Sequence, residues 1–419
     1  MRSPLARTYE SRRGPRRLHR QALALAAAGA LVLAACGGDD SSDDSDTTTA
    51  SAETTAASGS DTTVAADSTA TTAADSTATT VAGGDSGAGD HSEPPTGLTV
   101  DGKLSAVPEK KKVAFIVCAD PSCATLAEFL KESTGALGWD LTTINASATD
   151  PGAAIQQAVD AGVDYIALTG SDMAQYAPAM AEAKSQGIPV FACYATDVPG
   201  GEANNLYSDC YDGSSAAVYA GALMDWVVAD SQDAAHILAV TLPAFPILGA
   251  QVDAAKSALE QACADCSFDT LEQTIDNLTS GATPQAIASY LQTHTDINYV
   301  YLSYNGLDTG VVDALKSAGV SDQVKIVGTQ GGAPQFQEIV AGTETAWSAL
   351  PQEYAMWILT DQMARYATGD WNAELERQSA VAPFYIVTDA EQAATLVDLE
   401  NGWAGPDGFK DEFKALWGV

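Results

Sequence analysis

Three aspartates stand shortly after apolar runs of the sequence, and their carboxylates are its first candidates for chemistry. They are Asp120, Asp172 and Asp197. Clustered carboxylates can bind a cation, or act as general acid and base in a hydrolase. Loop acids more often accept hydrogen bonds from the hydroxyl or amine groups of a solute. We therefore take the three aspartates as ligand-binding candidates and keep a carboxylate-cluster hydrolase as the remote alternative.

Established catalytic signatures are missing from the sequence. It contains no GxSxG, HExxH or P-loop motif. From residue 110 onward there are two histidines, His236 and His294. The first begins an apolar run and the second ends a helical segment, so both are predicted to be structural. The prediction is therefore a protein without catalytic residues, cofactor or bound metal.

Six cysteines follow residue 110, namely Cys118, Cys123, Cys193, Cys210, Cys263 and Cys266. An even number in an exported chain indicates disulfides, and six cysteines allow fifteen connectivities. Closeness in the sequence favours the pairs 118–123, 193–210 and 263–266. Cys263 and Cys266 also have the spacing of a redox or zinc motif. They lie at the end of a predicted helix, whereas thiolates are stabilised at a helix start, so we favour a structural disulfide.

Charge divides the chain into three segments. Of 419 residues, Lys+Arg 20 and Asp+Glu 55 give a net charge of −35. Residues 1–20 contain seven Arg and one Glu, whereas residues 37–100 contain twelve acids and no Lys or Arg. This acidity excludes nucleic acid as a partner, because phosphate binding needs a basic face. It also argues against docking on anionic lipid through a basic patch.

The N-terminal segment has the pattern of a lipoprotein signal peptide. Residues 21–35 read QALALAAAGALVLAA, which is shorter than the roughly 20 residues of a membrane-spanning helix and fits a signal-peptide core. The following Leu33-Ala34-Ala35-Cys36 resembles a bacterial lipobox, whose cysteine is lipidated. We expect a signal peptide over 1–35, a lipid anchor on Cys36 and an extracytoplasmic location at the cell membrane. Arginine pairs at 12–13 and 16–17 leave twin-arginine export open beside the general secretory route.

Residues 36–109 are predicted to form the lipidated cysteine and a disordered linker. Residues 37–95 are rich in Thr, Ser, Ala, Asp and Gly, and the octad AADSTATT occurs at 65–72 and again at 73–80. Such a segment cannot bury enough apolar area to offset the entropy of ordering it.

From residue 110 the sequence alternates short apolar runs with helical patterns. The runs are predicted to be strands over 112–117, 139–144, 163–170, 188–193, 236–241, 268–275, 299–303 and 324–328. This alternation indicates parallel sheets covered by helices on both faces, here in two successive α/β sets. In such sheets a ligand binds beyond the carboxyl ends of the strands.

Four segments of this region resemble the type I periplasmic solute-binding proteins, of which the ribose-binding protein is the familiar example. They are VDYIALTGSD (163–172), AEAKSQGIPVFACYATD (181–197), SDCYDGSSAAVYAG (208–221) and the stretch from 324 to 363 that begins VKIVG. The resemblance covers about residues 110–390. It implies two doubly wound parallel-sheet lobes joined by a hinge of three crossings, which close on a solute. The first lobe would be 110–232 plus 351–372, and the second 233–350 plus 373–419.

The resemblance also implies that residues after the strands bind the ligand. In the first lobe these are Asp120, Ser122, Ser171, Asp172, Tyr194, Asp197, Asp209 and Tyr211. In the second lobe they are Phe245, Asn305 and Gln330.

Three polar positions of the sugar-binding members are changed in this chain. Residues 245–252 contain no Arg, the usual Asn-Asp pair reads Asn305-Gly306, and the neutral Gln330 replaces an Asp. A buried hydroxyl without a partner costs about 1–3 kcal/mol, so a typical pentose is expected to bind poorly. Tyr194, Phe245 and Tyr304 could instead stack on a flat or apolar face. The departures favour a solute that is smaller or less polar than ribose.

The predicted function is that of a lipid-anchored, monomeric substrate-binding protein of an ABC importer. It would deliver a small sugar-like or polyol-like solute to a permease and its ATPase. The export signal and the lack of a helix-turn-helix exclude the DNA-binding repressors that share this fold. The same cleft could serve a sensor that signals to a membrane kinase or chemoreceptor, since both uses depend on ligand-driven closure.

Overall fold

A computed structural model describes residues 91–118, 120, 122–147 and 150–419 of the chain. The predicted signal peptide, the lipidation site Cys36 and the linker up to residue 90 lie outside the described residues. In the described part, none of the helices combines the length and hydropathy needed to cross a membrane.

The described residues form eleven strands and thirteen α-helices. The strands are β1 (Lys112–Val117), β2 (Asp140–Asn145), β3 (Tyr165–Thr169), β4 (Val190–Cys193), β5 (Leu206–Asp209), β6 (His236–Thr241), β7 (Ser267–Glu272), β8 (Tyr299–Leu302), β9 (Lys325–Gly328), β10 (Ala346–Ala349) and β11 (Tyr385–Val387). The helices are α1 (Ser122–Ala136), α2 (Gly152–Asp160), α3 (Ala177–Ser185), α4 (Gly213–Ser231), α5 (Pro246–Ala262), α6 (Ile275–Ser280), α7 (Thr283–Leu291), α8 (Val311–Ala318), α9 (Ala333–Ala341), α10 (Gln352–Thr368), α11 (Ala373–Ala380), α12 (Ala390–Ala394) and α13 (Phe409–Trp417).

The first sheet has five parallel strands in the order β2-β1-β3-β4-β5. Successive side chains of a strand point to opposite faces of the sheet. In β1 the side chains on both faces are buried. Phe115 belongs to the core cluster that includes side chains of α1 and α10, while Ile116 belongs to the cluster that includes α2 and α3. Because helices cover both faces, β1, β3 and β4 are continuous apolar runs rather than alternating ones.

The second sheet has six strands in the order β11-β10-β9-β8-β6-β7. All neighbours are parallel except β11, which runs antiparallel to β10. In both sheets the strand order reverses beside the first strand of the set, at β1 and at β6. The predicted fold class, α/β with two doubly wound parallel sheets, is therefore confirmed.

The chain passes from the first sheet to the second earlier than the predicted boundary at residue 232. Helix α4 was assigned to the first lobe, but it packs against α5. Near its end, the Asp230 carboxylate accepts a hydrogen bond from the Tyr299 hydroxyl of β8 and pairs with Lys325 of β9 at 2.6 Å. The other two crossings of the hinge lie between β10 and α10 and between α11 and β11.

The C-terminal segment 373–419 is divided between the lobes rather than belonging wholly to the second. Helix α11 contacts β5, and α13 packs on α10. There the Trp417 ring stacks on Trp357 with the centroids 5.4 Å apart, and its indole N–H donates to Asp361 at 2.8 Å. The apolar side chains of α13 recur at i and i+4, so the helix buries one face against α10. Strand β11 and helix α12 lie with the second sheet.

The last part of the predicted disordered linker is ordered against the folded region. The His91 carbonyl accepts a hydrogen bond from Ile386 N at 2.7 Å, and the His91 ring stacks on Phe384. Further along, Thr99 N donates to the Tyr354 hydroxyl at 2.7 Å. The predicted linker boundary at residue 109 is thus too late, because these backbone groups are paired with both lobes.

Candidate functional site

A cavity lies where the carboxyl ends of the two sheets face each other. It encloses about 460 Å³, part of it open to solvent, and we call it the inner compartment. The segments after β1, β3 and β4 line it from the first lobe, and the segments after β6, β8 and β9 line it from the second. They include Cys118, Asp120, Gly170, Tyr194, Phe245, Tyr304 and Gln330.

The wall of the inner compartment is mainly apolar. Leu126 of α1 and Ile247 and Leu248 of α5 line it, and the Cys118–Cys123 disulfide forms part of the first-lobe side. Besides the phenols of Tyr194 and Tyr304, the polar side chains in the wall are those of Asp120, Thr169, Gln330 and Gln352. Apolar walls with a few placed polar groups are typical of small-molecule sites.

A direct hydrogen bond joins the two lobes inside this compartment. The Tyr304 hydroxyl donates to Asp120 Oδ2 at 3.1 Å, and both residues are buried. Burial and the Asp120 charge raise the pKa of Tyr304 above its ordinary value. The phenol therefore stays protonated, as a donor to Asp120 must be.

Gly306 is required by the position of the Tyr304 ring. A Cβ atom added at residue 306 would lie 2.4 Å from Tyr304 Cε2, a distance that real Cβ atoms do not reach. The departure from the Asn-Asp pair therefore has a steric reason. Tyr304 occupies the space that a side chain at 306 would need, and its hydroxyl turns to Asp120 instead.

Two non-glycine residues of the wall have left-handed backbones. They are Tyr194, with φ 64°, and Gln330, with φ 62°. Such conformations cost free energy and persist where the surroundings hold them. The Tyr194 ring packs against Tyr211 with the centroids 4.8 Å apart, and Gln330 Oε1 accepts from Gln352 Nε2 at 3.2 Å. These contacts fix both side chains at the edge of the inner compartment.

A second cavity adjoins the first and is more polar. It encloses about 800 Å³, part of it open to solvent, and we call it the outer compartment. Asn305 lies in its wall, and Gln330 and Gln352 belong to the walls of both compartments. Its remaining wall consists of Thr125, Gly306, Thr309, Gly331, Gly332, Pro334, Gln335, Leu350, Glu400 and Asn401.

The loops after β3 and β4 hold each other through two of the predicted ligand-binding aspartates. Asp172 accepts hydrogen bonds from Thr196 N and Thr196 Oγ1, and Asp197 accepts one from Met173 N at 2.6 Å. Burial, together with the nearby Asp172, raises the pKa of Asp197. Neither aspartate lies in the wall of the two compartments. In the described residues, no three His, Cys, Asp or Glu side chains are arranged to hold a metal ion.

Asp209 is fully buried away from both compartments. Its Oδ1 accepts from Ala195 N at 3.3 Å, and its own N–H donates to Glu376 Oε1 at 3.0 Å. Burial, with Asp212 and Glu376 nearby, raises the pKa of Asp209 well above its ordinary value. Asp209 was predicted to contact the ligand. The structure instead places it in a buried position beside the hinge.

Of the remaining predicted first-lobe residues, Ser171 and Tyr211 also lie outside the two walls. Ser122 is the first residue of α1, and Ser171 precedes Asp172 in the loop after β3. Tyr211 is buried and donates its hydroxyl to Gln251 Oε1 at 2.9 Å. Thus Asp120, Tyr194, Phe245 and Gln330 meet in the inner compartment, and Asn305 lies in the outer one.

The six cysteines form the pairs 118–123, 193–210 and 263–266. The first belongs to the inner compartment. The second joins the end of β4 to the residue after β5, with the Cα atoms 4.6 Å apart. The third closes the turn after α5 and does not touch the cleft wall.

Several residues of the site were not found from the sequence. They are Leu126, Thr169, Leu248 and Gln352 in the inner compartment. Gln352 begins α10 after a hinge crossing, and Leu126 and Leu248 lie in helices, so no strand-based rule points to them.

Solved structures with the same fold include three carbohydrate-related binding proteins. The carbohydrate transporter from Acidothermus cellulolyticus 11B, in complex with myo-inositol, is 19% identical with a TM-score of 0.56, and the match covers 70% of this chain and 99% of that one. The 5-methylthioribose transporter solute-binding protein from Thermotoga lettingae TMO is 15% identical with a TM-score of 0.59, covering 75% and 99%. The glucose-galactose binding protein from Geobacillus stearothermophilus is 17% identical with a TM-score of 0.54, covering 67% and 98%.

Sequence comparison gives one family. None of the curated proteins is significantly similar to this chain. The family model described as "Periplasmic binding protein domain" matches residues 113–370, which is more than half of the chain and spans both sheets. The family and the three relatives are solute-binding proteins rather than enzymes, in agreement with the predicted lack of a catalytic site. The chain belongs to the periplasmic binding protein domain family, of the type I fold.

Proposed function

We propose that this chain is the lipid-anchored solute-binding subunit of an ABC importer. It traps a small uncharged solute between its lobes and presents it, as a monomer, to a permease with its ATPase. The observation that carries the proposal is the cavity walled by strand-following residues of both parallel sheets. Open α/β sheets bind their ligands at that place.

The proposed solute is sugar-like or polyol-like and less polar than ribose. The relatives, whose ligands are a polyol, a modified pentose and hexoses, support this class. Among the described residues that line the two compartments there is no Lys or Arg. A buried anion would therefore lack a counter-charge, which is costly in an apolar wall.

The anchor is proposed on sequence alone. Leu33-Ala34-Ala35-Cys36 would be processed to leave a lipidated Cys36 at the outer side of the membrane. The test compares the native chain with Cys36→Ser. We expect the native protein in the membrane fraction with the added mass of a lipid, and the variant without that mass and outside the membrane fraction. An unmodified Cys36 would overturn the anchor.

Binding is tested by thermal unfolding of the full chain, purified in detergent, against sugars, polyols, nucleosides, amino acids and aromatic acids. A ligand at 100 times its dissociation constant stabilises a protein by about 2.7 kcal/mol. We expect stabilisation by uncharged sugars or polyols, and loss of uptake of the same solute in a deletion strain. Stabilisation by anionic acids alone would overturn the proposed solute class, and unchanged uptake would overturn the transport role.

A further inference from the structure

We propose that the solute is amphipathic. Its uncharged hydroxylated head lies in the outer compartment, and a short apolar group of a few carbon atoms fills the inner compartment. This inference rests on the proposed function and concerns which solute the cleft selects.

Hydrogen bonds within the protein already engage several polar groups of the inner compartment. The Tyr304 hydroxyl donates to Asp120, and the Thr169 hydroxyl is directed at Cys123 Sγ at 3.8 Å. The amides of Gln330 and Gln352 lie where the two compartments meet. Apart from these and the Tyr194 phenol, the rest of the wall is aliphatic, aromatic or disulfide sulfur. A sugar ring placed there would lose the hydration of several hydroxyls and find few partners. An apolar group placed there has no hydroxyl hydration to lose, and its transfer out of water is favourable in free energy.

The outer compartment has the opposite chemistry. Its wall carries the hydroxyls of Thr125 and Thr309, the amides of Asn305 and Asn401, and the carboxylate of Glu400. These groups supply both donors and acceptors for hydroxyls. Gly331 and Gly332 contribute only backbone atoms to this wall. The outer compartment therefore suits the hydroxylated part of a solute, and it is the larger of the two.

The two chemistries meet at a pair of amides. Gln330 and Gln352 line both compartments and are hydrogen-bonded to each other. Gln330 is held there with a left-handed backbone, at φ 62°. The amide pair stands where the atom that joins head to apolar group would lie, for example the bridging oxygen of a glycoside. This arrangement selects for a solute with two unlike ends.

The experiment measures binding of n-alkyl β-D-glucosides and n-alkyl β-D-ribosides, from methyl to hexyl, to the full chain. Glucose, ribose and n-butanol are the reference compounds. Burying a methylene is worth about 0.8 kcal/mol, which is about fourfold in affinity. We expect affinity in one series to rise about fourfold per methylene over the first members and then level off. Free sugar and n-butanol should each bind at least tenfold more weakly than the best glycoside.

Two leucines of α1 provide matched variants. Leu126 lines the inner compartment, whereas Leu130 is buried on the same helix and lines neither compartment. We expect Leu126→Ala to move the best alkyl chain to a greater length, and Leu130→Ala to leave it unchanged. Leu126→Phe, which fills the space, should weaken the longer glycosides at least tenfold relative to the methyl glycoside. Asn305→Ala should weaken all members of the series by the same factor.

The outcomes separate this inference from the proposed function. If free sugars bind as tightly as their alkyl glycosides, the inference of an amphipathic solute is wrong and the solute-binding role stands. The same holds if Leu126→Ala and Leu130→Ala have the same effect on the best alkyl chain length. If neither series binds and no sugar or polyol stabilises the protein, the inference and the proposed function are both wrong.

Discussion

The Tyr304 hydroxyl donates a hydrogen bond across the cleft to Asp120 Oδ2, with 3.1 Å between the two oxygens. One residue follows β8 of the second sheet and the other follows β1 of the first. A hydrogen bond to a charged group contributes about 1.5–3 kcal/mol. Because this bond forms only when the lobes approach, it favours the closed arrangement and places a polar contact within a mainly apolar wall.

Tyr304→Phe is expected to shift the protein toward more open arrangements. The variant keeps the ring over Gly306 and removes only the hydroxyl that reaches Asp120. Spin labels attached at the exposed Lys131 of α1 and Lys316 of α8 would report the distance between the lobes. We expect a longer or broader distance distribution in the variant than in the native chain.

Tyr290→Phe is the control for this prediction. Its hydroxyl also donates to an aspartate, Asp269, at 3.2 Å, but both residues belong to the second lobe. It should leave the distance distribution unchanged. If Tyr304→Phe behaves like this control, the bond to Asp120 does not govern closure.

Gly306→Ala is expected to destabilise the native chain by about 1–3 kcal/mol, the usual cost of overpacking. Its Cβ would lie 2.4 Å from the Tyr304 ring, so the ring must move and the contact with Asp120 is lost. In a Tyr304→Ala background the same substitution should cost less than about 0.5 kcal/mol, because the clash is gone. Urea unfolding of the four proteins in this cycle gives the coupling energy.

A glycine without neighbours supplies the comparison for that cycle. Gly249 lies within α5, and a Cβ there would meet nothing within 4 Å. Gly249→Ala should stabilise the protein by roughly 0.5–1 kcal/mol in either background. If Gly306→Ala lowers the unfolding free energy equally with and without the Tyr304 ring, the glycine is not needed to accommodate that ring.

The part of the site that the sequence predicted follows from one rule. Apolar runs identify buried strands, and ligands bind beyond the carboxyl ends of parallel strands. That rule, with the family resemblance, led to Asp120, Tyr194, Phe245, Asn305 and Gln330, which the structure places in the two compartments. It failed for Asp172 and Asp197, because the hydrogen bonds that tie one loop to another depend on the tertiary arrangement of the loops.

The division of the chain between the lobes was harder to predict. Helix α4 has buried residues on most of its circumference, so its sequence does not indicate which sheet it covers. Strand β5 has four residues and ends at a buried aspartate, which gives no alternation or apolar run to detect. The lobe assignment of α13 depends on the fit of Trp417 to Trp357 and Asp361, which only the folded chain shows.

The Cys193–Cys210 disulfide is expected to stabilise the first lobe by about 3 kcal/mol. The cysteines are 17 residues apart in sequence, and a loop of about 15 residues corresponds to about 3 kcal/mol in the chain-entropy estimate. Replacing both cysteines by Ala should lower the urea midpoint and weaken solute binding, since Tyr194 is next to Cys193. Replacing Cys263 and Cys266, which are 3 apart, should cost less and leave binding unchanged. If solute binding is lost only when Cys263 and Cys266 are replaced, the 193–210 disulfide is not the one that supports the binding site.

Glu376 is expected to make stability fall as the pH rises from about 4.5 to about 7. Burial raises its pKa to about 7, from an ordinary value of 4.5, and Asp212 adds to the rise. The hydrogen bond from Asp209 N and the charge of Arg377 act in the opposite direction. Over this range the folded chain retains a proton that the unfolded chain has released, so each rise in pH favours unfolding. The total effect is up to about 3 kcal/mol, and it is complete above the folded-state pKa.

Glu376→Gln tests this, because an amide keeps an oxygen to accept from Asp209 N but cannot ionise. The measurement is the urea unfolding free energy at pH 4.5, 6 and 8. Relative to the native chain, the variant should gain stability progressively toward pH 8 and show no gain at pH 4.5. Glu374→Gln alters an exposed acid of the same helix that pairs with Arg377, so it should show no such pH-dependent gain. If both variants have the same pH profile as the native chain, Glu376 is ionised in the folded protein at pH 6 at no cost, and its burial beside Asp209 does not control the acid–base behaviour of the hinge.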